Sequence, residues 1–346
     1  MIELELLDRN LNRILPLDDY SSLIWSSRYC KCGDFELCLP IKQKYIENIL
    51  TGYYIARKDD ENTGVIEDLE FTIDEDNKEW FVVTGRFLPS LLARRIIEKQ
   101  TQISGTIQTG ITKLINENAI SPTNSNRKIP NLTIKSATIY KNAEAQYTGK
   151  NLLETIEDIC STNSVGFKTI LTEDKKFEFS LYEGVNRSYS QFSNPFIVFS
   201  DENDNLISSN YKYVTSEMIT DVLVAGEGEG LDRKTKWVSN FSNSGLDRYE
   251  AYKDQRDLST NDGAISDEEY QAQLQQAGLE SLTNITSAFE GSVYFGNIKY
   301  KTDVNLGDIV TVKNKKWGVS INTRLIEVIE SVDETGAYEI LPTFGV

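Results

Sequence analysis

Short segments in which apolar and polar residues alternate recur along this chain of 346 residues. Ile2 to Leu6 and Leu69 to Ile73 are clear examples, each with acidic or hydroxyl residues between its apolar ones. A period of two places the apolar side chains on one face of a β-strand and the polar ones on the other. Because the segments are short and are bounded by turn-forming residues, they predict a mainly β fold with α+β parts.

The first 85 residues predict a small, tube-like β-barrel that begins with the strand at Ile2 to Leu6. A helix is expected from Ile41 to Leu50, whose apolar residues share one face, with Gly52 at its C-terminal cap. The remaining strands of this barrel are predicted at Leu23–Tyr29, Phe35–Leu39, Tyr53–Arg57, Val65–Asp74 and Trp80–Thr84.

Residues 86–192 predict a mixed α/β domain. Pro89 is tolerated in a first helical turn, and the helix that it begins is expected to reach Ile97. Asn151 is a candidate N-cap for a later helix, which Gly166 would end. The other predicted elements are a helix at Ile111–Glu117 and a hairpin that pairs Phe167–Leu171 with Phe177–Tyr182.

A second small β-barrel is predicted in two parts, at residues 193–232 and 292–346. Residues 233–291 are polar and predict a helical insertion that splits this barrel. The insertion's helix begins with a capping box, Ser266 to Glu269, and its thin apolar stripe predicts a position on a surface. The barrel strands are predicted at Pro195–Phe199, Tyr211–Val214, Asp221–Ala225, Val293–Phe295, Ile309–Lys313, Trp317–Ile321, Leu325–Asp333 and Tyr338–Leu341.

A turn at Leu306–Asp308 leads into the closing part of the second barrel. Gly307 can take a positive φ without steric cost. Asp308 is expected to bond its own backbone two residues further on. Valine at position 307 is therefore expected to impair folding or assembly rather than a reaction.

The charge balance excludes whole classes of function. The chain has 53 acidic and 36 basic residues, a net charge of −17, and no histidine. An acidic surface repels phosphate, so tight binding of nucleic acid is not expected, and histidine-based catalysis is impossible. No apolar run approaches the roughly 20 residues that span a bilayer, and the N terminus does not resemble a signal peptide. We expect a soluble protein, made in the cytoplasm, that does not contact a membrane.

The cysteines resemble a metal cluster at first sight, because Cys30, Cys32 and Cys38 are close in sequence and Cys160 could join them. Paired zinc ligands are usually separated by roughly two to four residues, whereas Cys30 and Cys32 are separated by one. A reducing cytoplasm disfavours a disulfide. Free thiols are the preferred interpretation, with a metal site and a disulfide left open, and no metal or cofactor is predicted.

The glycine-rich run Gly226–Gly230 invites comparison with a phosphate-binding loop. It lacks the Lys-Ser/Thr pair that holds nucleotide phosphates. Its two acidic residues, Glu227 and Glu229, would also repel a phosphate group. The run therefore does not predict nucleotide binding.

Six short motifs follow one another along the chain: Asp34–Leu37, Thr84–Arg86, Gly184–Ser188, Gly226–Glu229, Gly245–Glu250 and Leu306–Val310. In this order they resemble the siphophage tail-hub family. That family includes the amino-terminal part of tail-associated lysins, and its fold is similar to the baseplate hub of T-even contractile phages. The resemblance runs from about residue 2 to Gly345, and Asn186 stands where the family pattern Gly-Val-Asp-Arg has Asp, so no charged role is implied there.

The resemblance implies a structural protein with no catalytic, cofactor-binding or metal-binding residues. It implies a homotrimeric ring whose two barrels per subunit give six pseudo-equivalent units, which can join a sixfold tail tube to a threefold tip. The partners would be the tail tube or distal tail protein above and a tip, fibre or lysin protein below. DNA and the tape-measure protein would pass through the lumen unbound, since three subunits at −17 each carry −51 formal charges. The implied location is the tail tip or baseplate of a virion assembled in the host cytoplasm.

Two other functions stay open on the residues alone. A peptidoglycan hydrolase would need two carboxylates across a cleft, and the candidate pairs are Glu227 with Glu229 and Asp267 with Glu268. Acids on a glycine loop or at a helix start are more typically solvated or capping groups. A host-surface carbohydrate-binding tail module would stack sugars on aromatic side chains. The tryptophans, whose scatter is more typical of core packing, are Trp25, Trp80, Trp237 and Trp317.

Overall fold

The N-terminal β unit contributes most of one large sheet. The structure is a computed structural model that describes residues 2–73, 77–206, 210–239, 242–283, 286–290 (backbone alone) and 298–345. The strands of this unit are β1 (Leu4–Leu7), β2 (Arg13–Leu17), β3 (Ser22–Arg28), β4 (Asp34–Pro40), β5 (Tyr54–Arg57), β6 (Thr63–Ile73) and β7 (Glu79–Phe87), with helix α1 (Gln43–Asn48) between β4 and β5. The strands predicted in this region are therefore confirmed, although Asp74 lies outside the described residues.

The following segment is the mixed α/β region. Its helices pack against short strands around a cluster that includes Ile111, Ile156 and Phe179. Asn151 caps the second helix by accepting from the backbone N–H groups of Leu153 and Glu154, as the sequence predicts. The elements are β8 (Thr101–Ile103), α2 (Ile107–Ile115), β9 (Leu132–Lys135), β10 (Ala145–Tyr147), α3 (Leu152–Thr162), β11 (Gly166–Leu171) and β12 (Phe177–Tyr182).

The C-terminal part combines a second β unit with an inserted three-stranded sheet. Helix α4 begins with the predicted capping box, in which Ser266 and Glu269 bond each other's backbone. The elements are β13 (Val198–Ser200), β14 (Asn210–Val214), β15 (Asp221–Ala225), β16 (Thr235–Ser239), β17 (Glu250–Asp254), α4 (Asp267–Leu279), β18 (Thr286–Glu290), β19 (Ile309–Asn314), β20 (Val319–Val332) and β21 (Tyr338–Gly345).

The strand order confirms a mainly β fold. The principal sheet has 13 strands in the order β14-β18-β21-β20-β3-β4-β7-β6-β5-β1-β2, with β19 beside β20 and β13 beside β19. Separate small sheets are formed by β8 with β10, by β9 with β11 and β12, and by β15 with β16 and β17. The described pairings give an open path, so the two closed barrels stay predictions, as do the domain boundaries.

Three helices end at other residues than predicted. The backbone groups that follow each of them form hydrogen bonds with other elements instead of continuing the helix. The segment around Pro89 is a 3-10 helix, Leu88–Arg94, and Ile97 lies beyond its end, with its N–H donating to the Lys150 carbonyl at 2.9 Å. Helix α1 ends at Asn48, and Gly52 instead forms a turn that bonds to β6. Helix α3 ends at Thr162, and Gly166 begins β11.

The insertion is more β-rich and better packed than predicted. Residues 233–291 contain β16, β17 and β18 besides α4. Strand β15, predicted as a barrel strand, pairs with β16 and β17 instead. Helix α4 does not lie loosely on a surface, because Tyr270 and Leu274 are buried against Val222, Val224 and Val238 of this sheet.

The long hairpin strand near the C terminus also differs. Trp317, predicted to begin a strand, lies in the turn before β20, and the strands predicted at Trp317–Ile321 and Leu325–Asp333 form one continuous strand, Val319–Val332. The strand predicted at Val293–Phe295 lies outside the described residues.

Candidate assembly surfaces

The two β units are joined by strand pairing. Residues Glu327 to Val332 of β20 pair antiparallel with Leu23 to Arg28 of β3. Arg28 reinforces this seam, donating to Glu327 at 2.6 Å and forming an ion pair with Asp34. Because backbone hydrogen bonds cross the seam, the two units cannot rotate freely against each other.

A buried ion cluster lies beside the same seam. Arg57 of the first unit donates to Glu330 of the second at 2.5 Å, and their side chains are only 1% and 3% exposed. Arg57 also donates to Asp59 at 2.7 Å. Lys301 lies 2.6 Å from Asp60 and 2.9 Å from Glu330, so a second cation-to-acid contact crosses between the units.

The electrostatics of Glu330 follow from these contacts. Burial opposes its ionisation, but the hydrogen bond from Arg57 and the charges of Arg57 and Lys301 outweigh burial and lower the pKa of Glu330. Tyr338 donates a further hydrogen bond to Glu330 at 2.6 Å. The Glu330 carboxylate is therefore ionised at neutral pH, and it is an acidic member of the ion cluster that joins the two β units.

The turn at Gly307 and Asp308 is present, but its contacts differ from the prediction. Gly307 has φ +94 as expected. The Asp308 carboxylate does not bond the backbone two residues on; it accepts from the backbone N–H groups of Val185 at 2.7 Å and Asn305 at 3.0 Å, and from Arg187 Nε at 2.9 Å. The turn therefore fixes the segment that leaves the α/β region.

Asn186, where the family pattern has Asp, is used for local structure. Its side-chain oxygen accepts from the backbone N–H of Ser188 at 2.9 Å. Its backbone bridges Ile309 at the start of β19. A neutral side chain suffices for both contacts.

The outer half of β6 is an unpaired strand edge. Strand β5 pairs with β6 only at Thr63 to Val65, whereas β7 follows β6 to Ile73. Beyond β5, Phe71 and Ile73 are 58% and 66% exposed, and no described strand lies on that side. An unpaired strand edge that carries exposed apolar side chains and neither proline nor lysine is a template for pairing with another chain.

The terminal strand on the same side of this sheet is protected. Strand β2 is its last strand, and Pro16 lies within it, so one backbone donor is missing. Arg13 adds an exposed charge on this strand. Of these two edges, the outer half of β6 is therefore the better suited to pairing with another chain.

A second exposed apolar feature is the loop of residues 184–196, here called the aromatic loop. Tyr189 and Phe192 contact Phe196 at ring-centroid distances of 5.1 Å and 6.3 Å, and Phe192 is 92% exposed. The Lys313 ammonium lies 4.9 Å from the centre of the Tyr189 ring. The three rings form a projecting apolar cluster next to a positive charge.

The aromatic loop is held rigid by its own polar residues. The Gln191 side chain donates to the Asn194 carbonyl at 3.0 Å and accepts from the Ser193 and Asn194 backbone N–H groups at 2.7 and 2.8 Å. The Tyr189 N–H donates to Thr311 of β19 at 2.9 Å. A loop that is ordered before contact loses less conformational entropy when a partner binds.

The cysteines lie in environments that suppress reactivity. All four are free thiols. Burial raises the pKa of Cys30 to about 11 and that of Cys32 to about 12, and it holds that of Cys160 well above the ordinary thiol value. Cys30 Sγ lies 3.3 Å from the Val165 carbonyl, whereas Cys32 Sγ faces the Gly33 and Phe87 carbonyls. Within the described residues, no three Cys, Asp or Glu side chains are grouped closely enough to hold a metal ion.

The candidate carboxylates for a hydrolase are either bonded within the fold or exposed to solvent. Burial opposes ionisation of Glu227, but bonds from Thr260 at 2.8 Å and from Lys234 at 3.0 Å lower its pKa to about 2. A glycosidase acid needs the opposite shift. Glu229 is exposed, and Asp267 and Glu268 occupy the exposed first turn of α4, so neither pair forms a site.

The glycine run serves close packing rather than phosphate binding. A Cβ atom on Gly226 would lie 2.0 Å from the Tyr270 hydroxyl. That hydroxyl accepts from the Glu227 N–H at 2.7 Å. Glycine therefore lets the β15–β16 connection approach α4.

The four tryptophans have different roles. Trp25 is fully buried and packs against Phe87 at 4.6 Å between ring centroids, as core packing predicts. Trp237 and Trp317 are about half exposed, at 47% and 49%. Trp80 is half-buried on β7. The core interpretation therefore fails for two of the four.

Sequence reasoning missed the ion cluster, although one signal was present. Val328, Glu330 and Val332 alternate along β20 and share its buried face, so the pattern places a carboxylate inside. Its partner Arg57 lies 273 residues away in sequence, and no local pattern connects the two.

Comparisons with known proteins agree with this architecture. A family model described as Siphovirus ReqiPepy6 Gp37-like protein matches residues 3–346. A search of the curated proteins finds no match. Among the helices in the described part of the chain, none has the length and apolar character needed to cross a membrane.

Three solved structures share the fold. The tail protein from Neisseria meningitidis MC58 is 12% identical, with coverage of 100% of this chain and 96% of that one and a TM-score of 0.61. The prophage MuSo2 43 kDa tail protein from Shewanella oneidensis is 15% identical (99% and 98% covered, TM-score 0.58). The prophage tail protein gp18 from Listeria monocytogenes EGD-e is 12% identical (99% and 94% covered, TM-score 0.55). With a family model matching nearly its whole length, this chain belongs to the Siphovirus ReqiPepy6 Gp37-like family of siphovirus tail proteins.

Proposed function

We propose that this protein is a structural, non-enzymatic tail hub at the distal end of a phage or phage-like tail. Three copies form a ring whose two β units per subunit give six similar units around a channel. The ring joins a sixfold tail tube, or a distal tail protein, to a threefold tip, fibre or lysin protein. DNA and the tape-measure protein pass through the channel without specific binding.

The pairing of β3 with β20 carries this proposal. It places both β units of one chain side by side in one sheet, as neighbouring segments of a ring wall require. The buried contact between Arg57 and Glu330 fixes their relative orientation. Three copies of such a rigid pair supply six wall segments, each of which we expect to close as a small barrel.

The two exposed apolar features supply a head-to-tail contact between neighbouring copies. The β6 edge carries Phe71 and Ile73 among exposed acids, Asp68 and Glu70. The aromatic loop carries its rings beside Lys313. We propose that the aromatic loop of one copy packs on the β6 edge of the next, because the charges are complementary and a contact between unlike surfaces forms a closed ring when three copies are related by a 120° rotation.

The acidic balance suits the channel. At −17 per chain, a trimer carries −51 formal charges, and lumen-facing acids would repel DNA phosphates. We propose that the assembled hub resides in the virion tail after assembly in the host cytoplasm.

Light scattering and negative-stain imaging of the purified protein test this function. The expected result is a particle of three 39.2 kDa chains, about 118 kDa, that appears as a ring with a central hole. A chain that stays at 39.2 kDa at every concentration and forms no ring with its tail tube partner would overturn the proposal.

A further inference from the structure

The inserted sheet carries a row of apolar side chains on its uncovered face. Leu223 of β15 pairs with Trp237 of β16 on one side and with Tyr252 of β17 on the other. Helix α4 covers the opposite face, where Val222 and Val224 are buried. Trp237 and Tyr252 are 47% and 58% exposed, so both rings on this face are open to solvent. These three residues, here called the aromatic row, run straight across the strands.

A repeated motif orients both rings. The sequence Gly-Leu-Asp-Arg occurs at residues 230–233 and again at 245–248, and in each copy the first three residues form a 3-10 turn whose glycine has a positive φ. The arginine of the first copy, Arg233, donates to the Tyr252 hydroxyl at 2.8 Å. The arginine of the second, Arg248, lies 4.8 Å from the centre of the Trp237 ring. The turn before β16 therefore orients Tyr252 of β17, and the turn before β17 orients Trp237 of β16.

The flanks of the aromatic row are polar and nearly neutral. Arg248 is paired with Asp221 at 2.6 Å and Glu250 at 2.5 Å, and Arg233 is paired with Asp254. Glu250 and Asp254 remain exposed enough to accept further hydrogen bonds. The surface thus offers two fixed rings in the middle and hydrogen-bond acceptors at one edge.

We propose that the aromatic row binds a linear β-1,4-linked sugar chain of hexose or N-acetylhexosamine rings. Such a chain has apolar C–H faces, which can stack on Trp237 and Tyr252, and hydroxyl edges, which can bond Glu250 and Asp254. The two rings are separated by two strand spacings, roughly 9–10 Å, so they can engage different sugar rings of one chain. Because both rings are already held in place, stacking costs little side-chain entropy.

Other partners fit this surface less well. Two half-exposed rings and one leucine offer roughly 250 Å² of apolar surface, well below the roughly 800 Å² per partner of a stable protein interface. The net charge of −17 disfavours nucleic acid. The site does not depend on ring formation, since all of its residues lie within one small sheet.

Titration of the full-length chain with cellohexaose and with N-acetylchitohexaose, followed by tryptophan fluorescence and calorimetry, tests the proposal. We expect binding of at least one of the two, with Trp237→Ala and Tyr252→Ala each raising Kd about tenfold or more. Tyr252→Phe keeps the ring and should stay within about threefold of wild type. Trp317→Ala removes an equally exposed tryptophan from the second β unit and should leave Kd unchanged.

The outcomes separate this proposal from the tail-hub function. No binding of either sugar at 10 mM, or binding that Trp237→Ala leaves intact, overturns the sugar site whatever the oligomeric state. A change in particle mass caused by Trp237→Ala without any effect on sugar binding assigns the row to contact between copies and also overturns it. Loss of the ring with sugar binding retained would instead count against the hub alone.

Discussion

At the scale of single residues, Gly307 is held by two independent constraints. Its φ of +94 lies in the region that L side chains avoid, and an added Cβ would lie 2.3 Å from the buried Tyr29 ring. We predict that Gly307→Val lowers the free energy of unfolding by about 3 kcal/mol or more, since strain and overpacking add. Denaturant unfolding of the purified variant measures the change.

Gly318 provides the matched control. It also has a positive φ, +66, but an added Cβ would meet nothing within 4 Å. Gly318→Val should therefore cost only the backbone strain, about 1–2 kcal/mol. Equal losses for the two variants would show that Tyr29 does not confine the turn.

The contact between Arg57 and Glu330 should show strong coupling. Removing one partner leaves a buried charge with fewer partners, so Arg57→Leu and Glu330→Leu should each cost about 3–5 kcal/mol of stability. The double variant should cost clearly less than the sum, because it leaves neither charge behind. Denaturant unfolding of the four proteins completes the cycle.

A solvent-exposed ion pair serves as the control for the buried pair of Arg57 and Glu330. Lys58 and Glu3 lie 2.9 Å apart with both side chains 70% exposed. Lys58→Ala should leave the denaturant midpoint nearly unchanged, because solvent screens an exposed ion pair. Additive costs at Arg57 and Glu330 would contradict their role as one junction.

At the scale of elements, the β6 edge makes a prediction about assembly. Phe71→Lys combined with Ile73→Lys places two charges on the free half of β6, where lysine blocks pairing between chains. We predict that the ring is lost while the monomer stays folded, because both side chains are largely exposed in the single chain. Light scattering reads the particle mass, and circular dichroism checks the fold.

Strand β2 supplies the control for that experiment. Ile14 is 39% exposed on the edge that Pro16 already protects, so Ile14→Lys should leave the ring intact. If both changes dissolve the ring, or neither does, the β6 edge is not the surface that joins the copies.

Local patterns predicted the elements whose stability is local. Alternation identified β6 and the hairpin of β11 with β12, and the Ser266 capping box located α4, because each depends on neighbouring residues. Pairing between distant strands was not predictable in the same way. Strand β15 has a barrel-like sequence, yet its partners are β16 and β17, and only the three-dimensional structure distinguishes the two sheets.

In the candidate assembly surfaces, too, local features were predictable from the sequence and long-range contacts were not. The turn at Gly307 follows from one residue's conformational freedom, so the sequence predicted it. The partners of Asp308 did not follow, since its carboxylate bonds Val185 and Arg187, more than 100 residues earlier. The Gly-Leu-Asp-Arg repeat was readable in the sequence, but its use in holding Trp237 and Tyr252 depends on strand order.

At the scale of the whole molecule, the inserted sheet is attached to the α/β region through a buried polar contact. Tyr147 of β10 donates to the Glu280 carboxylate, just after α4, at 2.6 Å. Gln146 accepts from the Ser259 N–H at 3.1 Å in the same contact. Burial raises the pKa of Glu280, and the hydrogen bonds from Tyr147 and Gln276 only partly offset it.

This shift makes the attachment dependent on pH. A carboxyl whose pKa is raised in the folded state stabilises that state most fully below its ordinary pKa, about 4.3, and the contribution is lost as pH rises through the raised value. Lys150 lowers and Asp158 raises the same pKa by their charges. Ionisation of Glu280 should therefore weaken the attachment of the inserted sheet to the α/β region at neutral pH relative to pH 4 to 5.

Glu280→Gln removes the titration while keeping an acceptor for Tyr147. We predict that the variant melts a few degrees higher than wild type at pH 7, with the difference vanishing near pH 4 because the wild-type carboxyl is then protonated. Glu268→Gln changes an exposed acid on the same helix and is the matched control for the loss of a carboxylate. A Glu280→Gln variant that melts lower than wild type at pH 7 would mean that the ionised carboxylate stabilises the contact, and the sign of the linkage would be reversed.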